Sequence, residues 1–195
     1  MLRLPLVVRQ TGVLVDAATV AAFVSLPIAL GSLWFTYVSS RRLQQRQDLL
    51  AWVNRQLSEL YGPLQMILAS SRATYAAFCD AYFPLHEFQD APEQITPEHR
   101  EAWKLWFLTV LQPLNRRGYE LVVANGDLLL GDILPDCVAQ YCAHVTSFDV
   151  VLAGWSGGSN ELFPTIPYPG EFGTYVTESY GELKSLQRRL IRSRH

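Results

Sequence analysis

Gly154-Trp155-Ser156-Gly157-Gly158 spells the G-x-S-x-G pattern of a nucleophile elbow. In that motif a strand-to-helix turn exposes a serine, which an acid and then a histidine further along the chain activate. Here a helical apolar pattern precedes the serine, a proline-rich stretch follows it, and the only later histidine is the terminal His195. A glycine loop ending a helix accounts for the same five residues. Asp127, Asp132 and Asp136 lie around a turn but lack the alternating ligands and closing glutamate of a calcium loop. Asp132 and Asp136 are expected instead to cap a helix beginning near Pro135. Cys137 and Cys142, with His144 nearby, fit no zinc-ligand spacing. Together with Cys79 they make an odd count, which reads as free buried thiols in a reducing compartment. His86 and His99 share no motif with the others, and neither a phosphate-binding loop nor a dinucleotide fingerprint occurs. The residue types therefore predict no catalytic, cofactor-binding or metal-binding position and no cofactor. An enzyme or toxin acting at a membrane is the alternative, with a site assembled from Tyr119, Glu120, Asp127, Asp132 and His144.

The elements behind these residues begin with an apolar run. Ala18 to Val38 is 21 residues without a charge, and about 20 residues of helix cross the hydrocarbon core. Trp34, Phe35 and Tyr37 close the run where aromatic rings favour the headgroup level, and Arg41 and Arg42 follow. Arg3 and Arg9 precede it, against Arg41, Arg42, Arg46 and Arg55 after it, so the positive-inside rule places the C-terminal domain in the cytoplasm of a single-pass inner-membrane protein. Ala29-Leu30-Gly31 weakly resembles a cleavage site, but the apolar run continues beyond it, which favours an uncleaved signal anchor. Ala17, Ala21, Ser25 and Ala29 recur every four residues, a spacing that lets another helix approach closely in lipid. Pro27 predicts a kink.

Beyond the run the pattern is amphipathic. Leu43, Leu50, Leu57 and Leu64 form one row, and Val53, Leu60 and Ile67 a second, with a 3.5-residue period. The seam fits a dimerising coiled coil beside the membrane or the core face of a bundle helix. Gly62-Pro63 cuts it after fewer than three heptads, which favours the bundle. Pro63 is expected to open the next helix, and a polar acidic loop covers 84–96. Thr96-Pro97-Glu98 then starts a helix that Pro113 should bend or divide and Asn125-Gly126 should stop. Another helix runs from Pro135 to Gly157-Gly158, residues 163–170 read as extended and irregular, and a last helix starts near Glu171. The expected architecture is all-α: an N-terminal flank 1–17, a transmembrane helix 18–38, a juxtamembrane amphipathic helix 39–62, and a bundle of about four to five helices over 63–195.

Charge is spread unevenly over this plan. Residues 1–72 carry seven basic and three acidic groups, residues 80–178 four and fourteen, and the tail from Glu182 five and one. The acidic middle disfavours nucleic acid as a partner, and basic ends beside an apolar run suit an anionic bilayer. In the tail Leu183, Leu186, Leu190 and Ile191 interleave with Lys184, Arg188, Arg189, Arg192 and Arg194. Such a helix either lies on an anionic membrane surface or packs its leucines into the bundle.

Arg55-Gln56-Leu57-Ser58-Glu59-Leu60-Tyr61-Gly62-Pro63-Leu64 and Pro113-Leu114-Asn115-Arg116-Arg117-Gly118-Tyr119-Glu120-Leu121 resemble uncharacterised bacterial single-pass membrane-anchored helical proteins. In these a juxtamembrane helix leads through L-Y-G-P-L into a helical domain, and the resemblance implies an architecture without an activity. The expected function is a non-enzymatic interaction module or an accessory subunit of a membrane complex. Its partners are the lipid bilayer and either another protein or further copies of the chain. Candidate interaction residues are Ala21, Ser25 and Ala29 in the anchor, Leu43, Leu50 and Leu57 in the seam, and Arg188, Arg189 and Arg192 in the tail.

Overall fold

Pro63 and Pro113 stand inside helical patterns that they are expected to interrupt. In the computed structural model, which describes residues 17–82 and 95–192 with side chains from Leu30 onward, the chain stays helical through both. Helix α1, Ala17–Arg55, passes through a π-helical turn, Gln56–Tyr61, into α2, Gly62–Tyr82. Likewise α3, Pro97–Trp106, passes through a second π turn, Phe107–Leu111, into α4, Gln112–Ala124. In each case the residue before the proline donates its N–H five residues back: Gly62 to the Leu57 carbonyl, and Gln112 to that of Phe107. A proline ring in a regular α-helix collides with the carbonyl four residues earlier, and the wider π turn relieves that collision. The seam through Leu57, Leu60 and Leu64 is therefore continuous across Gly62-Pro63, contrary to the expected break.

The first π turn depends on Gly62. A Cβ there would lie 2.5 Å from the Leu57 carbonyl oxygen, a backbone atom that cannot swing aside. Gly62→Ala is expected to destabilise the fold by about 2 kcal/mol, in the range of overpacking changes. Urea denaturation followed by circular dichroism reads it, and an unchanged midpoint would show that the turn tolerates the methyl group.

A 3₁₀ turn, Gly126–Leu128, then α5, Asp136–Ser156, and α6, Gly170–Arg192, complete the described elements. Among the described residues there is no strand, and the fold is all-α. The capping signals act where they stand. Thr96 Oγ1 accepts the His99 N–H at 3.3 Å while His99 Nδ1 accepts the Thr96 N–H, a capping box in which histidine takes the place usual for glutamate. Asn125 caps α4, and Gly157 with the positive-φ Gly158 ends α5. Asp132 and Asp136 do not cap α5: the capping position is Pro135, with no side-chain bond, and Asp136 sits in the first turn. There its carboxylate suits the positive end of the helix dipole.

The chain divides into two units, Met1–Asp48 and Leu49–His195. In the first, the described side chains belong to α1, where Leu33, Trp34 and Phe35 are 66%, 70% and 73% exposed. Among the described residues no helix is long and apolar enough to cross a membrane. The expected contacts of Ala21, Ser25, Ala29 and Pro27 lie outside the described side chains, and most of the acidic loop 84–96 lies outside the described residues.

The second unit is a bundle of four rods: the end of α1 with α2, α3 with α4, then α5 and α6. It begins at Leu49, and Val53, Leu57 and Leu60 belong to its core. The first and last rods run antiparallel, since Asn54 meets Gln187, Gln65 meets Thr177, and Arg72 lies against Gly173. One core cluster joins the lower part of the first rod to α4, the start of α5 and α6 around Leu60, Tyr61, Tyr141 and Phe172. A second joins the end of α2, α3 and the end of α5 around Phe78, Trp103, Phe107 and Phe148. Leucines of α6 face inward: Leu183 is buried and Leu186 and Leu190 pack against the first cluster.

Candidate functional site

The segment joining α4 to α5 is fixed to the bundle at two points and then turns outward. Leu128 is fully buried, and its carbonyl accepts a 2.9 Å bond from the buried Gln56 side chain. Two residues on, the Leu130 N–H donates to the Tyr61 hydroxyl at 2.8 Å, and its carbonyl accepts a longer bond from Tyr175. The two hydroxyls also meet each other at 2.8 Å, and burial pushes the Tyr175 phenol well above its usual pKa. Gly131 then adopts φ +99°, a conformation that favours glycine. The turn directs Ile133 into solvent at 83% exposure, with Leu134 beside it, before Pro135 begins α5.

Beside this segment lies a groove of about 710 Å³. Leu130, Leu183 and Leu186 supply its apolar lining, and Arg188, Arg189 and Arg192 of α6 its basic side. Glu182 is its acidic member. Leu183 is buried and Leu186 and Leu190 pack against the first core cluster, so α6 turns these leucines toward the bundle. Its arginines, exposed on the opposite side, are what it presents. A second groove, of about 440 Å³, lies along the first and last rods, where Asn54, Ser58, Lys184 and Gln187 are its polar members.

The other candidates are placed differently. Leu57 is buried in the core of its own unit and also borders the second groove. Leu50 is half-buried and Leu43 is exposed. The five residues of the enzyme reading are not gathered at either groove. Tyr119 packs against the first core cluster, Asp127 pairs with Arg55 at 3.4 Å, and Glu120 and Asp132 are exposed. Ser156 closes α5 and donates to the Leu152 carbonyl, so the G-x-S-x-G serine sits on a helix end. Burial pushes the Cys137 and Cys142 thiols up, which disfavours the nucleophilic thiolate. Among the described residues no group of three His, Cys, Asp or Glu could hold a metal ion.

His144 is a structural residue with a pH signature. Its ring is buried, edge-on to Phe148 and Tyr168, and Nδ1–H donates to the Ile166 carbonyl at 2.8 Å. Burial lowers its pKa from 6.5, although the backbone acceptors at Ile166 and Pro167 pull the other way. The folded chain thus resists a proton that the unfolded chain accepts, so this contribution is full above the ordinary pKa and is lost as pH falls through and below it. His144→Asn retains a donor for Ile166 and is expected to fall less in melting temperature than the wild type between about pH 7 and about pH 5. Equal slopes for the two proteins would remove His144 from this role.

The basic groove was partly legible, because Arg188, Arg189 and Arg192 stand out in the tail. Leu130, Ile133 and Leu134 carry no signal except two aliphatic residues between an aspartate and a proline. Comparison of the chain with protein-family models, with curated proteins and with solved structures finds no match in any of the three.

Proposed function

We propose that the chain is a membrane-anchored helical interaction module or accessory subunit of a membrane complex, in which residues 18–38 cross the bilayer once and the helical unit faces the cytoplasm. The observation that carries this reading is the exposure of Leu33, Trp34, Phe35 and Tyr37 on α1. Successive helical residues point about 100° apart, so these four side chains spread over rather more than half of the helix circumference. An apolar surface this broad belongs in a core or in lipid, and aromatic residues next to Arg41 and Arg42 suit the headgroup boundary. The bias of arginines toward the C-terminal side supports the orientation.

Membrane fractionation tests it. Full-length protein is expected to stay in the pellet through carbonate extraction, with the helical unit accessible to protease only from the cytoplasmic face. Intact protein that retains residues 1–40 and appears in the carbonate supernatant would defeat the anchoring.

Exposure of Leu43, Leu49 and Trp52 further along α1 favours self-association as a second reading. Light scattering in mild detergent distinguishes the two: a strict monomer leaves a different protein as the partner.

A further inference from the structure

Leu130 links the arginines of the groove to an apolar tip in the same segment. Leu130 lines the groove with Arg188, Arg189 and Arg192, and three residues further on Ile133 and Leu134 are exposed. That separation holds the tip within about 14 Å of the Leu130 backbone. Ile191, between the arginines in sequence, is exposed as well. Among the described residues that line the groove the acidic one is Glu182, about 10 Å along the helix from Arg189; Asp132 precedes the tip, and Asp127 is engaged by Arg55. Three guanidinium groups therefore outnumber the carboxylates of the groove.

This surface belongs to the end of the unit where the chain arrives from residue 48. Gln187 donates to Asn54 at 2.7 Å, which sets the basic end of α6 beside the start of the first rod. Residues 39–48 join residue 38 to that rod, and even fully extended they hold Leu49 within about 40 Å of Val38. A surface tethered so closely meets the bilayer at high effective concentration.

We infer that this surface is a second membrane contact, in which Arg188, Arg189 and Arg192 bind the phosphodiester groups of anionic phospholipids while Ile133 and Leu134 enter the headgroup layer. The inference rests on the proposed anchoring for its geometry. Guanidinium groups suit phosphate because they stay charged and donate in pairs. The cytoplasmic leaflet supplies the negative surface, and an apolar tip beside basic residues is the chemistry of interfacial binding.

Hydrogen exchange on the full chain tests it, in nanodiscs of phosphatidylcholine alone and of phosphatidylcholine with phosphatidylglycerol. Peptides covering 129–135 and 184–192 are expected to exchange more slowly in the anionic discs, with each engaged arginine worth about fivefold in surface binding. R188Q/R189Q/R192Q, and separately I133S/L134S, are expected to return exchange to its rate in neutral discs. The core peptide 57–68 should keep its protection in both variants, which shows that the fold is intact. Equal protection in the two lipids, protection in neither, or protection that survives the arginine substitutions would overturn the inference. So would inorganic phosphate that reproduces the effect in neutral discs, since that identifies a free anion. Should the chain fail to enter discs, the anchoring fails separately. The same variants are then read by co-sedimentation with vesicles of the two compositions, where unchanged binding overturns the lipid site itself.

Discussion

Trp103→Ala is expected to lower the stability of the helical unit by about 3–5 kcal/mol, and its melting temperature by on the order of 10 °C. Trp103 is 3% exposed. Its ring meets Phe78, Phe107 and Phe163 at centroid distances of 5.3, 5.5 and 5.7 Å, and Tyr75 edge-on at 6.3 Å. Removing the indole empties the centre of the second core cluster, where four aromatic neighbours cannot all collapse inward. It also strands a backbone group: the indole N–H donates to the buried Leu162 carbonyl at 3.1 Å, which ties the segment after α5 to α3. Trp103→Phe retains most of the packing and loses that bond, so its expected effect is smaller, about 1–2 kcal/mol. Denaturant titration of the three proteins orders them. A loss below about 1 kcal/mol for the alanine variant would mean that the cluster repacks freely and is not a close-fitting core.

Gly118→Ala is the second large effect, and it comes with a rescue. A Cβ at Gly118 would lie 2.3 Å from the Tyr141 hydroxyl oxygen. Tyr141 is held on two sides, because its ring stacks on Phe172 at 3.9 Å and its hydroxyl donates to the Asn115 carbonyl at 3.0 Å. It cannot retreat without losing one of these, and burial of a phenol without a partner is itself unfavourable. Gly118→Ala is expected to destabilise by about 2–3 kcal/mol. Tyr141→Phe alone loses the bond to Asn115 and leaves that carbonyl short of a partner, at about 1 kcal/mol. The combined variant removes the colliding atom, leaving a contact of 3.3 Å from the new methyl group to the ring carbon that bore it. It is therefore expected to be more stable than Gly118→Ala alone. Simple additivity of the two losses would show that the collision is relieved elsewhere.

The helical class and several element ends could be read from residues because their causes are local. Thr96-Pro97, Asn125-Gly126 and Gly157-Gly158 act on neighbours within one turn, and each stands at the expected end. Pro63 and Pro113 each stand second in a new α element, as expected, but what precedes them is a π turn and not a break. The expected break assumes α-helical geometry up to the proline, and a turn widened by one residue removes the conflict without leaving a mark in hydrophobic periodicity. The heptad seam was visible, but its period could not say which residues a rod would spend on its own core. Leu57 went inside and Leu43 did not, because α6 returns antiparallel beside the later part of the seam. At the groove, the arginines were legible from their clustering in the tail. The loop carrying Ile133 was not, since its position depends on Gln56, Tyr61 and Tyr175, which are far away in sequence.

The closure of the first rod by the last has a consequence for biosynthesis. Tyr61 finds its partner Tyr175 only 114 residues later, an interval of about 6–23 s at ordinary elongation rates. Throughout it Leu57, Leu60, Tyr61 and Leu64 wait on a nascent chain without the helix that completes their cover. Translation of the stretch before α6 is thus the period in which a holdase or trigger-type chaperone has the most to protect, and a ribosome stalled there leaves a sticky, protease-sensitive intermediate.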